Sequence, residues 1–272
     1  MEILKMKRIT KKFGAFTAND EVNFTLRQGE IHALVGENGA GKTTLMRILY
    51  GLEPPTSGEI EVKGQTVRFQ TPADAIRHGI GMVHQHFMLF PSRTVMENIV
   101  IGQESARGIF FDRERSIEQI NQLCQTYSLA IDPLARISDC PVGMQQRVEI
   151  LKVLYRGAEI MILDEPTAVL TPLEVQELLR TLKHLARQGK SIILITHKLH
   201  EVMEVADHIT VLRGGKVTAS LPAAETNIEE ISRYMVGRGL VALQREPRPV
   251  GEPVLQVENV TLRGSAGKPL LD

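Results

Sequence analysis

An α/β fold built around a buried parallel sheet is what this 272-residue sequence predicts, and three observations carry that expectation. First, Ile31-His32-Ala33-Leu34-Val35 is a short apolar run that leads into a glycine-rich loop and then into Thr43–Leu49, which has helical spacing. Second, Ile160–Leu163 and Ser191–Thr196 are strand-sized apolar runs separated by the amphipathic stretch Pro172–Arg187. A strand, a helix and a strand at this distance form the crossover that joins parallel neighbours, and continuous apolar runs mark strands covered on both faces. Third, the first residues alternate instead: Val22, Phe24 and Leu26 are separated by polar residues, as in a strand with one face in the core.

Taken in order, residues 1–35 read as β. A first short strand covers Leu4, Met6 and Ile9, a second lies around Val22–Leu26, and Gln28-Gly29 turns the chain into the third. Ile60–Val67 reads as a hairpin around Lys63-Gly64. Thr71-Pro72-Ala73-Asp74 starts a helix, with a capping threonine and proline at the first helical position, and Gly79 ends it. Ile80–His84 returns as a strand. From Phe87 to Ala158 the pattern is mainly helical and more polar, which predicts an inserted helical subdomain over about residues 87–158. His208–Leu212 and Lys216–Ala219 form a hairpin across Gly214-Gly215. The stretch 238–253 is rich in Arg, Pro and Gly and reads as a linker after a domain spanning 1–237. Beyond it, Leu255-Gln-Val-Glu-Asn-Val-Thr261 repeats the pattern of Leu4-Lys-Met-Lys-Arg-Ile-Thr10, so residues 254–272 read as the truncated start of a second copy.

Composition narrows the function classes. A hydrophobic fraction of 43% supports a sizeable core, and 32 basic residues balance 32 acidic ones. Zero net charge gives no support to a nucleic-acid partner, which usually shows as a basic excess. No apolar run approaches the roughly 18 residues that would span a bilayer, and the N-terminus has no signal-peptide core. The expectation is a soluble, intracellular protein whose link to a membrane comes through a partner. Cys124 and Cys140 make no metal-binding pattern and read as reduced, small apolar residues.

The chemistry is concentrated in two places. Gly36-Glu37-Asn38-Gly39-Ala40-Gly41-Lys42-Thr43, with Thr44 following, is a glycine, four residues, then Gly-Lys-Thr, set between a predicted strand and a predicted helix. Glycines let backbone N–H groups curl around phosphate oxygens, and the helix N-terminus adds its dipole. Lys42 supplies a full charge to the β- and γ-phosphates, and Thr43 offers a hydroxyl to Mg²⁺. Downstream, the buried strand Ile160–Leu163 ends in Asp164-Glu165, at the sheet edge where ligands gather in open α/β folds. Asp164 would hold Mg²⁺, and Glu165 would act on the attacking water as general base.

With these in place the chain resembles an ATP-binding cassette subunit over essentially its whole length: a P-loop NTPase cassette with a mixed β core, an N-terminal antiparallel β subdomain and an inserted α-helical subdomain. Three further motifs follow in the family's order. Gln85 is similar to the glutamine that senses Mg²⁺ and the transmembrane partner. Cys140-Pro141-Val142-Gly143-Met144-Gln145 resembles the signature motif that completes the ATP site of an opposite cassette. His197 resembles the switch histidine that contacts the γ-phosphate. Phe13 sits where the family places an aromatic against adenine. The resemblance implies ATP and Mg²⁺ as cofactors, Gln85, Glu165 and His197 as catalytic residues, and Thr43, Gln85 and Asp164 around the metal.

Within the family, Val142–Lys152 and Leu154–Ala158 look most like the nucleoside branch of the simple-sugar and nucleoside importers, which carry two cassettes on one chain. That implies a second cassette on the same longer chain, transmembrane permease subunits, an extracytoplasmic solute-binding protein acting indirectly, and a peripheral location on the cytoplasmic face of the membrane. His86–Gly102 is the expected permease contact, with Phe87–Phe90 equally readable as subdomain core. Two departures stand out: Pro141 replaces the signature serine, and Thr171 stands where the family often has aspartate. A soluble twin-cassette translation factor acting on ribosomes is the alternative from another class, which the short linker disfavours.

Overall fold

Strands rich in Ile, Leu and Val, joined through helices, build the centre of the chain. The computed structural model describes residues 1–107, 110–237, 251–252, 254–258, 260–263 and 269–271. They fall into two units, Met1–Gly239 and Leu240–Asp272. Residues 238–250 and 253 of the expected linker lie outside the described residues.

The first unit opens with β1 (Glu2–Phe13) and β2 (Phe16–Arg27), an antiparallel pair, followed by β3 (Ile31–Val35), α1 (Lys42–Leu49), β4 (Ser57–Val62) and β5 (Gln65–Val67). β2, β1, β4 and β5 form one antiparallel sheet in that order. Lys63 and Gly64, both at positive φ, make the β4–β5 turn, as their sequence predicts. The chain continues through α2 (Pro72–Arg77), β6 (Ile80–Val83), α3 (Val95–Val100), the short pair β7 (Ala106–Arg107) and β8 (Phe110–Phe111), α4 (Arg113–Tyr127) and α5 (Val142–Tyr155). β9 (Ile160–Asp164), α6 (Pro172–Arg187), β10 (Ser191–Ile195), α7 (Leu199–Val205), β11 (His208–Arg213), β12 (Lys216–Pro222) and α8 (Ile228–Val236) complete the unit. The main sheet has the order β12-β11-β3-β10-β9-β6 and is parallel except for β12.

The apolar runs are explained by burial on both faces. Ile160 and Ile162 of β9 pack with the antiparallel sheet and α1, while Met161 and Leu163 pack with the helices α3–α6. Ala33 and Val35 join Ile209 and Val211 under α7 and α8. Each fully buried side chain of this size contributes about 1.5–3 kcal/mol relative to exposure.

Three expectations change. The first two strands are 12 residues each, longer than the alternation suggested. Register shifts at Met6/Ile9, Ile9/Lys11 and Lys11/Lys12, and positive φ at Arg8 and Glu21, break the period of two, so that polar Thr10, Lys11 and Asn19 turn inward. The helical region starts at Val95 and not at Phe87: residues 84–94 are irregular, and Thr94 accepts from Glu97 N as the cap that begins α3. Two helices had not been expected. α7 begins after Lys198, and α8 is bounded by Asn227, which accepts from Glu230 N, and by left-handed Gly237.

In the second unit, β13 (Leu262–Arg263) pairs with β14 (Pro269–Leu271). Of Leu255–Thr261, expected to repeat β1, the described residues 255–258, 260 and 261 carry no strand, and Leu255 and Val257 are exposed. β1 is a strand because it lies between β2 and β4; among the described residues nothing flanks 254–258 in that way.

Candidate functional site

β3, β10 and β9 run parallel side by side, so the segments leaving them meet at one carboxyl edge of the sheet. The loop after β3 is shaped by close approach. At Gly41, φ is +100°, and a Cβ would stand 2.4 Å from Ala18 O and 2.6 Å from Asn19 Nδ2. Only glycine lets the loop lie against β2. The buried Asn19 then donates from Nδ2 to Gly41 O at 3.1 Å. Glu37, Asn38 and Gly39 are exposed at the crest, Ala40 is buried beneath them, and Thr43 is exposed at the start of α1, with Thr44 half-buried beside it.

Lys42 folds back over this loop. Its ammonium donates to Gly36 O at 2.7 Å and Glu37 O at 2.9 Å, with the residue buried. Burial lowers its pKa below the usual lysine value, against the opposing pull of Glu165 and Asp164. Asp164, the last residue of β9, is 5% exposed. Burial, then the neighbouring Glu165 charge, raise its carboxyl above the ordinary aspartate value, while a Thr43 hydrogen bond and Lys42 oppose the rise. A cation placed beside this carboxylate would offset that imbalance.

Glu165 leaves the strand at a positive φ of 46°, and its N–H donates to Ile195 O at 2.9 Å. This turn aims the carboxylate along the sheet edge. Gln85, two residues beyond β6, donates from Nε2 to Glu165 Oε2 at 3.4 Å. His197, two residues beyond β10, places Nδ1 at 3.1 Å from Glu165 Oε1. A carboxylate only accepts, so Nδ1 carries the proton here. The loops after β9 and β10 are also tied together. Lys198 Nζ donates to Thr167 O at 3.0 Å and to Thr167 Oγ1 at 3.2 Å, and Thr167 Oγ1 donates to Glu201 Oε2 at 2.8 Å.

Three segments far apart in sequence thus place Gln85 and His197 within hydrogen-bonding reach of Glu165, beside Lys42, Thr43 and Asp164. Phe13 is not part of this cluster. It ends β1 opposite Phe16, is 47% exposed, and has Lys11 Nζ 4.8 Å from its ring centroid. The same hairpin touches the loop through Ala18 and Asn19.

The stretch Cys140–Gln145 also lies outside the cluster, at the start of α5. Pro141 is the N-cap and makes no side-chain cap; Gln145 Nε2 donates to Cys140 O at 2.9 Å. Cys140 is buried, Val142 is exposed, and Met144 is half-buried against the helical core. Gly143 N donates to Glu174 Oε1 at 3.1 Å. Thr171 caps α6, with Glu174 closing a capping box back onto Thr171. Sequence reasoning had missed Asn19 and Glu174. The Thr171-x-x-Glu174 spacing was a readable capping signal, but the reach of Glu174 to Gly143 across 31 residues was not.

Comparison with known proteins agrees with the geometry. The family model described as ABC transporter matches residues 19–168. The nucleoside import ATP-binding protein NupA of Lactococcus lactis subsp. cremoris is 49% identical over 269 residues, covering 97% of this chain and 53% of its own. The guanosine import ATP-binding protein NupO of Bacillus subtilis is 49% identical over 267 residues, covering 97% and 52%. The glucose import ATP-binding protein TsgD13 of Haloferax volcanii is 44% identical, covering 97% and 53%. This chain spans about half the length of the curated relatives it matches. A solved ATP-binding cassette of an ABC transporter, in its ADP conformation, gives a TM-score of 0.75 at 26% identity, covering 86% of this chain and 94% of that one. The relatives named here are importers, and the ribosome-associated alternative has no counterpart among them. With the fold, the glycine-rich loop and the family match in agreement, the chain belongs to the ABC transporter family of ATP-binding cassettes.

Proposed function

We propose that this chain is a cassette that binds Mg–ATP at Gly36–Thr44 and hydrolyses it to drive import of a nucleoside or simple sugar through permease subunits at the cytoplasmic face of a membrane. The observation that carries the reading is the meeting of Gln85, Glu165 and His197 at the edge that also holds Lys42 and Asp164. The loop amides and Lys42 bind the phosphates; on binding, the ammonium exchanges the carbonyls of Gly36 and Glu37 for phosphate oxygens. Glu165 accepts the proton of the attacking water. His197, a donor in this arrangement, orients that carboxylate and faces the γ-phosphate.

The donor set suits Mg²⁺. Thr43, Asp164 and Gln85 offer oxygens, which this cation prefers, and it characteristically takes one or two carboxylates plus substrate phosphates and water. Among the described residues no cluster of three or more His, Cys, Asp or Glu suits a metal ion, in keeping with a metal shared with the substrate. When bound, it supplies charge neutralisation at the phosphate oxygens.

Adenine stacking on Phe13 belongs to the same reading, supported by that ring's exposure at the hairpin tip. A second cassette on the same longer chain is supported by the internal repeat and by a detail of the two hairpins. Continuing the alignment places Leu262 and Arg263 on Lys11 and Lys12. Lys11 and Lys12 pair with Asn19 and Thr17, skipping Ala18; Leu262 and Arg263 pair with Leu271 and Pro269, skipping Leu270. The same irregularity falls at the same step.

Permease contact is proposed at the segment after Gln85. Met88 and Phe90 are exposed, at 59% and 53%, while Leu89 turns into the helical core, so the apolar run divides between the two roles. A cavity of about 250 Å³ bounded by Tyr50, Met82, His84, Met88 and Ile101 opens beside it. Among the described residues no helix is long and apolar enough to cross a membrane. The importer reading is tested by reconstituting the full-length protein with candidate permease subunits in vesicles and measuring ATPase against added solutes. Stimulation by a nucleoside or sugar supports it. ATPase that ignores every solute and permease while responding to ribosomes would refute it.

A further inference from the structure

The contact between Gly143 and Glu174 has a consequence for how two cassettes close. Gly143 lies one residue inside α5, where backbone N–H groups have no partner in the helix and the dipole favours an anion. Here the anion is the chain's own. Glu174 Oε1 accepts from Gly143 N at 3.1 Å, and its other oxygen accepts from Thr171 N at 2.9 Å and Thr171 Oγ1 at 2.8 Å. The fit is close. A Cβ on Gly143 would stand 2.5 Å from Glu174 Oε1 and 2.8 Å from its carboxyl carbon, so glycine at 143 is what admits the carboxylate. These hydrogen bonds, first those from Thr171, hold the Glu174 carboxyl below the usual glutamate value, with Gly143 N and Arg147 adding smaller contributions. The group is therefore an anion at neutral pH.

We propose that Glu174 is a positioning residue that competes with nucleotide: its carboxylate occupies the Gly143 N–H, and closure of two cassettes exchanges it for the γ-phosphate of the opposing ATP. This rests on the reading of Cys140–Gln145 as the stretch that faces the opposite nucleotide. Three local facts give the exchange weight. Pro141 has neither an N–H nor a hydroxyl to offer that phosphate, so the amide of Gly143 matters more here than in a serine-bearing signature. Two anions cannot share one N–H, and like charges at this range repel. Finally, Glu174 is attached through the Thr171 cap to the segment that leaves Glu165, since Ala168 N donates to Glu165 O at 3.2 Å and Leu170 N donates to Thr167 O at 3.4 Å. Displacing Glu174 from Gly143 therefore acts on the segment carrying the proposed base. The occupant of one ATP site would be felt at the other through a single side chain. Arg147 and Glu177, paired one turn further along α5 and α6, keep the helices together when the first contact is released.

The test uses the full-length protein assembled with its permease and compares wild type with Glu174→Gln and Glu174→Ala. Glutamine keeps the length and an accepting oxygen but removes the charge, and charge-assisted hydrogen bonds are about twice as strong as neutral ones. The γ-phosphate then displaces it more easily. The expected result is a half-saturating ATP concentration for hydrolysis lowered roughly 3- to 10-fold in Glu174→Gln, with melting temperature little changed. ATP-dependent crosslinking between the two cassettes should shift by the same factor. Glu174→Ala should lower the half-saturating concentration as well, but with a lower melting temperature because the side-chain half of the α6 capping box is lost. An unchanged or raised half-saturation in Glu174→Gln, at unchanged melting temperature, overturns the proposal. A purely structural role predicts instead a raised half-saturation in Glu174→Ala, in step with its lower melting temperature, with recovery in the glutamine variant. Lys42→Ala separates the two readings. If it leaves nucleotide binding intact, the ATP-site reading fails and this proposal falls with it. If it abolishes binding while Glu174→Gln changes nothing, only the competition is refuted.

Discussion

Replacing Glu165 with glutamine should separate nucleotide binding from turnover. The side chain is nearly isosteric, and the backbone that presents it is held by its own N–H to Ile195 O and by Ala168 N to its carbonyl, neither of which the change touches. What changes is charge and basicity. A positioned general base contributes about 10²- to 10⁴-fold, so the barrier should rise by about 2.7–5.4 kcal/mol at 1.36 kcal/mol per factor of ten. Binding should move the other way or not at all. After burial, the Glu165 charge is what raises the Asp164 carboxyl, and Glu165 lies beside the proposed phosphate site. Removing its charge relieves repulsion against both. Single-turnover hydrolysis and equilibrium binding of a fluorescent ATP analogue, measured on the full-length protein, give the two quantities separately. Turnover within about threefold of wild type would refute the assignment of Glu165 as base. A parallel loss of affinity would show that the residue serves binding.

Lys42→Ala should weaken ATP by at least tenfold, because a buried ammonium already aimed across the loop is lost, and by more at low salt; calorimetry across ionic strengths checks both. Phe13→Ala should weaken ATP and ADP alike, by roughly 1–3 kcal/mol as for other base-stacking aromatics; a loss confined to ATP would point to the phosphate end instead. Asp164→Asn should stabilise the nucleotide-free chain at neutral pH. A carboxylate whose folded pKa is raised binds its proton more tightly when folded, so its contribution falls as pH rises through that value, and each kcal/mol recovered raises the melting temperature by about 2–4 °C. The same variant should lose the extra stabilisation that Mg²⁺ adds to ATP, which melting curves with and without the metal will show. Pro141→Ser should stabilise α5 by about 0.5–2 kcal/mol, since the present N-cap has no side-chain acceptor; denaturant unfolding measures it.

The parts of this molecule that were legible in the sequence are those whose signal is local. The run Ile160–Leu163 is apolar because both its faces are covered, and Lys63-Gly64 turns a hairpin because both residues take positive φ. The loop Gly36–Thr43 could be read from its own spacing, although two of its glycines serve distant approaches, Gly36 to Leu212 O of β11 and Gly41 to Ala18 and Asn19 of β2. Where side chains meet across the chain, little was visible. The bulges that bury Asn19 leave no periodic trace, and so neither did its hydrogen bond to Gly41 O. Glu174 could be recognised as a cap but not as the partner of Gly143. α7 and α8 are short, and α7 starts from a lysine with no side-chain cap, so no start signal announced it. The meeting of Gln85, Glu165 and His197 was anticipated only through the family resemblance. From residues alone, a glutamine, a glutamate and a histidine separated by up to 112 positions, from 85 to 197, carry no mark of contact.

The link between Lys198 and Thr167 bears on mechanics. Lys198 grips Thr167 through its carbonyl and its hydroxyl, and Glu201 holds the same hydroxyl from the first turn of α7. The segments carrying Glu165 and His197 are thereby bolted to one another outside the sheet as well as within it. A force reaching either segment cannot pull them apart without breaking bonds at a buried threonine. The spacing of Glu165 and His197 is then stiff, and the soft coordinate of the edge is the reach of Gln85, joined to Glu165 by the longer 3.4 Å contact. Strain arriving from the side of Met88 and Phe90 would register first as rotation of that glutamine, leaving the pair beside it fixed in shape.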